Sequence, residues 1–265
     1  MTTYILYCYY ETVDSLHNLK TFIVNGYINN DKYQYVFIIN GRTCSIDLEK
    51  FMSNVTVIKR DNVGHDFGGW TEALKSLDLA TVMTDSDRVI FINSTVTGPY
   101  IKDQAKGRPG WPTILTNMIT DDVKLAGISI NCHACPSYVK GILPDFKAVQ
   151  YPLYPHVQSM VLVTDKVGLA IAYKYDIFGD TIYPKSTLVY HREVKFSLAI
   201  LEEGYNINCL LSKYKGLDYR KAENHKINIH NGCSGDPWFP GAYFGENIDR
   251  YESVFFKNNR GVPMK

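Results

Sequence analysis

The sequence predicts an α/β protein in which a mainly parallel sheet is covered on both faces by helices. Three features point there. Short, nearly continuous apolar runs have the length of buried strands, amphipathic stretches at helical spacing lie between them, and later segments rich in Gly, Pro and aromatic residues are too irregular for either. A chain of 265 residues with 45% hydrophobic content buries a substantial core, enough for one large domain.

The elements follow in chain order. "YILYCY" at 4–9, "YVFII" at 35–39, "VTVI" at 55–58, "VIFI" at 89–92 and "AGISI" at 126–130 are expected strands, apolar on both faces as parallel strands under helices must be. Between the first two, Leu16, Leu19 and Ile23 recur at helical spacing. Trp70, Ala73, Leu74 and Leu77 do the same behind Asp66, which is placed to cap that helix. "GPYIKDQAKGRPGWP" and "GILPDFKAVQYPLYP" are expected to be long loops over the C-terminal edge of the sheet. "SMVLV" at 159–163 is a further strand. In "HREVKFSLAILEEGYNI", Val194, Ser197, Leu198 and Leu201 share one helix face before a stop at Gly204. The last ~50 residues show little periodicity and are expected to pack as a tail.

Charge and cysteines exclude several function classes. Twenty-eight Lys and Arg against 27 Asp and Glu leave a net charge of +1, with no field to draw the chain to nucleic acid or an anionic membrane. No uncharged apolar stretch approaches the ~18 residues of a membrane span. The N-terminal run stops at Glu11 and Asp14 without a basic start, so a cytoplasmic protein is expected. Six cysteines in so large a chain need no disulfide framework. The Cys132–Cys135 pair in "NCHACP" lacks the second pair that a structural zinc site requires.

Two triplets in "DSDRVIFINSTVTGPY" offer oxygen ligands. Ligands of open α/β sheets bind beyond the carboxyl ends of the strands, where strand order reverses. Asp85-Ser86-Asp87 enters the strand and reads as a polar turn, whereas Asn93-Ser94-Thr95 leaves it on the ligand side. Neither G-x-x-x-x-G-K-[ST] nor G-x-G-x-x-G occurs. In their place "RDNVGHDFGGW" opens the Trp70 helix, with glycines for close backbone approach and Asn62, His65 and Asp66 as donors and acceptors at a helix N-terminus. The same residues also make an ordinary capped turn.

The order strand, "NVGHDFGGWTEAL", "VIFINSTVTGPY", with "VQSMVLVTDKV" and "REVKFSLAILEEGYNI" in support, resembles the rhamnan-synthesis-F-like group of glycosyltransferases, which resemble GT-A-fold sugar-nucleotide enzymes. The matched stretches run through most of residues 1–210. The resemblance implies a GT-A-like, Rossmann-like domain over residues 1–215, with a nucleotide-sugar half (1–100), an acceptor half (101–215) and a C-terminal tail (216–265) packed on it. It implies a nucleoside diphosphate sugar as donor, a glycan as acceptor, and transfer with inversion.

Within that resemblance, Tyr7 and Cys8 would lie near the nucleoside, Asn62, His65 and Asp66 on the ribose or phosphates, and Asn93 and Thr95 on the diphosphate or its metal. The position of the group's Asp-x-Asp triplet is taken by Asn93-Ser94-Thr95, without a carboxylate, which puts a Mn²⁺ or Mg²⁺ requirement in doubt and makes metal independence plausible. Asn93 and His230, in "HNGCSGDPWF", are the residues that would reach such a metal. Counting back from Gly204, the acid that deprotonates the acceptor falls on Glu193, at the expected start of its helix. Trp111, Tyr151, Tyr154 and Trp238 are expected to stack on acceptor sugars, with Asp236 beside them. Two other readings remain open: a carbohydrate-binding module that does not turn over, and a sugar-1-phosphate nucleotidyltransferase, for which "CYYETVD" lacks the basic Gly-rich loop.

Overall fold

The computed structural model describes residues 1–102, 109–134, 136–147, 151, 153–228, 235–262 and 264. The runs expected to be strands do form them: β1 (Thr3–Tyr10), β2 (Tyr33–Asn40), β3 (Val55–Arg60) and β4 (Arg88–Asn93). They are followed by β5 (Val96–Thr97), β6 (Val123–Gly127), β7 (Ile130–Asn131), β8 (His156–Val157), β9 (Val161–Asp165), β10 (Asn206–Cys209) and β11 (Phe256–Lys257). Seven strands make one sheet in the order β10-β6-β9-β4-β1-β2-β3. β4, β1, β2 and β3 are mutually parallel, β10 is parallel to β6, and β9 alone runs against its neighbours β4 and β6. The expected α/β class, a mainly parallel sheet flanked by helices, is borne out.

Helices α1 (Val13–Gly26), α2 (Leu48–Phe51), α3 (His65–Ser76), α4 (Leu79–Val82), α5 (Trp111–Thr116), α6 (Pro136–Ile142), α7 (Lys166–Lys174), α8 (Lys185–Val189), α9 (Lys195–Glu202) and α10 (Arg250–Ser253) join these strands and cover both faces of the sheet. On one side α1 (Val13–Gly26), begun by a Thr12–Ser15 capping box, buries Leu19 and Phe22 against the sheet. Phe22 meets Tyr7, Phe37, Trp111 and Phe255 there. On the other side α3 (His65–Ser76) lays Phe67 and Trp70 on Phe91 and Phe178. Because side chains alternate along a strand, Tyr7 faces α1 and Cys8 faces α3. β1 leads through α1 to β2 on one side, while β4 lies on its other side; strand order therefore reverses between β1 and β4, with Cys8 paired to Asn93 in register.

Several boundaries differ from expectation. Residues 126–130 are not one strand: β6 ends at Gly127, and Ile130 and Asn131 pair separately with β8. The helix expected after residue 190 is one continuous helical run, α8 (Lys185–Val189), a π-helical turn (Tyr190–Val194) and α9 (Lys195–Glu202), and it stops at Gly204, φ +86°. Asp66 does not cap α3: the cap position is Gly64 in the left-handed region, φ +71°, and Asp66 stands inside the first turn. The chain's tail returns to the centre, where β11 pairs antiparallel with β5. Gly98, φ +135°, follows β5 where a Cβ would lie 2.7 Å from the Val254 carbonyl oxygen, so only glycine admits this approach. Among the described residues no helix is long and apolar enough to cross a membrane.

Candidate functional site at the strand exits

The exit of β4 is a network of side chains at the point of strand reversal. Asn93 Nδ2 donates to Asp66 Oδ2 at 3.0 Å, and Asn93 Oδ1 accepts from both Thr95 N (3.0 Å) and Thr95 Oγ1 (2.6 Å). Beneath them the buried Cys8 thiol receives a hydrogen bond from Asn40 Nδ2 at 3.1 Å and donates to Asp66. Burial pushes the Cys8 thiol well above its ordinary pKa. It also raises Asp66, against the opposing pull of His65, Lys257, Asn93 and Cys8. His65, φ +52°, turns its backbone carbonyl to Asn40 Nδ2 at 3.1 Å.

A cation joins this network from the far end of the sequence. Lys257, 8% exposed, donates from Nζ to Thr95 Oγ1 at 3.3 Å. Burial lowers its pKa to about 8, assisted by Arg260; Asp236, Glu193 and Asp66 pull it back up. No ion pair joins Lys257 to a carboxylate among the described residues.

Beside the network lies a cavity of about 470 Å³ whose walls include Asn131, His156, Gln158, Glu193, Asp236 and Arg260. Glu193 sits in the π-helical turn, not at a helix start, and so is held by neighbours instead of a helix dipole. Its Oε2 accepts from Ser159 N at 2.7 Å, and His156 Nε2 lies 3.6 Å from its Oε1. The imidazole is fixed in turn by the Tyr154 carbonyl oxygen, 2.9 Å from Nδ1. Asp236 faces Arg260 at 3.4 Å. Single-turn π insertions are frequent at functional sites because they turn one side chain out of helical register. Another cavity, of about 490 Å³, opens on the outer side of α3, but the cations on its wall are engaged. Arg60 is bound to Glu72 and Asn40, and Arg192 to the carbonyls of Asp176, Ile177, Gly179 and Thr181.

The structure brings together Asp66, Asn93, Thr95, Glu193 and Asp236, with Cys8 and His65 as support; Asn62 is exposed at the rim of the α3 turn. Other expected site residues lie elsewhere. Tyr7 is 1% exposed and packed between Phe22 and Phe37, on the sheet face opposite Asp66. Trp111, Tyr154 and Trp238 are each 1% exposed and offer no ring face to a sugar. The indole of Trp111 donates to the Gly26 carbonyl at 2.7 Å and that of Trp238 to Ser129 Oγ at 2.8 Å, which is how buried indoles meet their single donor requirement. Tyr151 packs edge-on against His225. Cys135 and His230 lie outside the described residues.

A divalent metal finds a poor donor set here. Asp66 is the one carboxylate in the network, the oxygens of Asn93 and Thr95 bond each other, and an ammonium stands at the position a second cation would have to share. Among the described residues no three His, Cys, Asp or Glu side chains are grouped to hold a metal. The described residues of the site do not fit Mn²⁺ or Mg²⁺ as a protein-held ion; His230, the other residue expected to reach a metal, lies outside them.

Comparison with known proteins places this geometry in a family. The model for rhamnan synthesis protein F matches residues 35–215, well over half of the chain. The chain belongs to the rhamnan synthesis F family. The resemblance to this group expected from the motifs is thereby borne out. No curated protein sequence matches significantly. Among solved structures, the family member is similar to a mannosyltransferase from Pyrobaculum calidifontis in complex with GDP-Man and Mn²⁺, at 14% identity and a TM-score of 0.43, covering 78% of this chain. The similarity spans 54% of the mannosyltransferase, about half of its length. It is also similar to the galactosyltransferase LgtC in complex with donor and acceptor sugar analogues, at 12% identity and a TM-score of 0.34, covering 71% of this chain and 69% of that one. An active-site mutant of LgtC gives a TM-score of 0.35 at the same identity and coverage.

Proposed function

We propose that this member of the rhamnan synthesis F family transfers a sugar from a nucleoside diphosphate donor to a glycan acceptor, with inversion. The observation that carries the reading is the position of Glu193, on a polar cavity directly beside the Asp66–Asn93–Thr95 network at the point of strand reversal. The network holds the ribose and diphosphate, and the cavity takes the acceptor. In the reaction, the acceptor oxygen forms a bond to the anomeric carbon while the bond from that carbon to the diphosphate oxygen breaks. The electron pair of the broken bond leaves with the nucleoside diphosphate, and the acceptor's proton passes to Glu193. A one-step displacement of this kind inverts the anomeric centre.

The Ser159 N–H and His156 orient the carboxylate so that one oxygen remains toward the cavity, and Asp236 contacts the acceptor's hydroxyls from the opposite wall. Residues 1–100 form the donor half and 101–215 the acceptor half, with 216–265 completing both. Positioning and charge compensation supply most of the rate, as is usual where the protein contributes few covalent steps.

The test is thermal stability against a panel of nucleoside diphosphates and their sugars. A ligand that binds only the folded state raises the melting temperature by mass action. One nucleotide family is expected to stabilise the wild type and to lose that effect in Asp66→Ala; no stabilisation by any nucleotide at millimolar concentration would instead favour a carbohydrate-binding module.

A further inference from the structure

We propose that the Lys257 ammonium, carried to the exit of β4 by the β5–β11 pair, is the fixed cation that holds the donor's diphosphate, in the role a divalent metal would otherwise fill. The proposal rests on the donor site described under Proposed function and adds which group neutralises its charge.

The first ground is an unmet requirement. Among the described residues the one hydrogen-bond partner of this ammonium, 8% exposed, is a hydroxyl oxygen, and that is costly, because burial removes water from three donors and a full charge. Nearby carboxylates favour the charge through space but direct their own bonds elsewhere: Asp236 to Arg260, Glu193 to Ser159 and His156, and Asp66 to Asn93. Such a charge persists where a ligand completes it. The second ground is position. Thr95 is the last residue of the triplet at the β4 exit, where a phosphate would approach, and the Lys257 amine bonds its side chain. The third is the donor set, which suits an anion better than a metal. As the anomeric bond breaks, the departing diphosphate gains one negative charge, and a cation already fixed beside it stabilises that charge without reorganisation.

The experiment is equilibrium binding by calorimetry of UDP, GDP, dTDP and CDP, and of the matching nucleosides, to the wild type, Lys257→Met and Lys257→Arg, in EDTA and again with Mn²⁺. The wild type is expected to bind one diphosphate in EDTA, with Mn²⁺ changing the affinity by less than about threefold. Lys257→Met should weaken that diphosphate roughly ten- to a hundredfold, the range of one charge-assisted contact, while leaving the nucleoside unchanged. Lys257→Arg should retain most of the affinity.

Diphosphate binding that requires Mn²⁺, unchanged diphosphate affinity in Lys257→Met, or equal loss of nucleoside and diphosphate would each overturn the role of Lys257 and leave the donor site standing. Absence of nucleotide binding with and without metal would overturn the donor site itself, and the role of Lys257 with it. A wild-type requirement for Mn²⁺ overturns the role of Lys257 even if a variant fails to fold.

Discussion

Glu193 carries the chemistry of the account, and its surroundings explain what its replacement should do. Glutamine preserves the acceptor for Ser159 N–H and fills the same space, but cannot take a proton. Glu193→Gln is therefore expected to lower sugar transfer by about a hundred- to ten-thousandfold, the usual worth of a positioned base, while a nucleoside diphosphate binds it as it binds the wild type. Kinetics alongside calorimetry would check both halves. Residue roles were unevenly legible in the sequence. Asp66, Asn93 and Thr95 lie in glycine-marked turns after apolar strands, and a turn at a strand exit announces itself. Lys257 stands 162 residues from Thr95 in a segment without periodicity, and nothing local signals a partner so distant. Its one trace is the short run "SVFFK", a strand-like stretch ending in a cation. Trp111, Tyr154 and Trp238 misled for a related reason: aromatic residues in Gly- and Pro-rich segments resemble binding loops, yet here the rings plug the core and the indole N–H groups find oxygen partners.

Among the elements, the turn before β4 offers a clean separation of structure from function. Asp87 accepts hydrogen bonds from Thr2 N at 2.5 Å, Thr84 N at 2.9 Å and Thr84 Oγ1 at 2.8 Å, fastening the N-terminus and the turn to the strand entrance. Burial tends to raise its pKa, but these donors together hold it below the usual carboxylate range. A group depressed in the folded state adds stability above its unfolded pKa of about 3.9, and that contribution disappears as pH falls through the lower folded value. Asp87→Asn should cost about 1–2 kcal/mol at neutral pH, the worth of a charged cap. The gap from wild type should close in denaturant titrations below about pH 4, with catalysis unaffected at pH 7.

Strands β1, β2 and β4 were legible because both their faces are covered and their apolar runs are unbroken. The antiparallel direction of β9 was not, since a buried strand reads the same in either direction. The π-helical turn was hidden too: its residues continue the helical spacing on either side, and only the backbone shows that Glu193 is turned out of register.

On the scale of the whole molecule, the sheet supplies the edge where strand order reverses, the helical run 185–202 brings a carboxylate to it, and the tail returns with a cation. These three contributions come from widely separated parts of the chain, so the site exists only in the folded protein and fails together with it. The family model places the chain in the rhamnan synthesis F family; the geometry is the basis for proposing that the donor binds at the β1–β4 exit and the acceptor in the Glu193 cavity. The most direct measurement is release of free nucleoside diphosphate from a panel of sugar nucleotides, with oligosaccharide acceptors present, by the wild type and by Glu193→Gln. With Glu193 as the base of a one-step displacement, sugar nucleotides of one base are consumed by the wild type, with a glycosylated product of inverted anomeric configuration, and Glu193→Gln is nearly inactive. Turnover by Glu193→Gln at the wild-type rate, or a product that retains the donor's configuration, would contradict it.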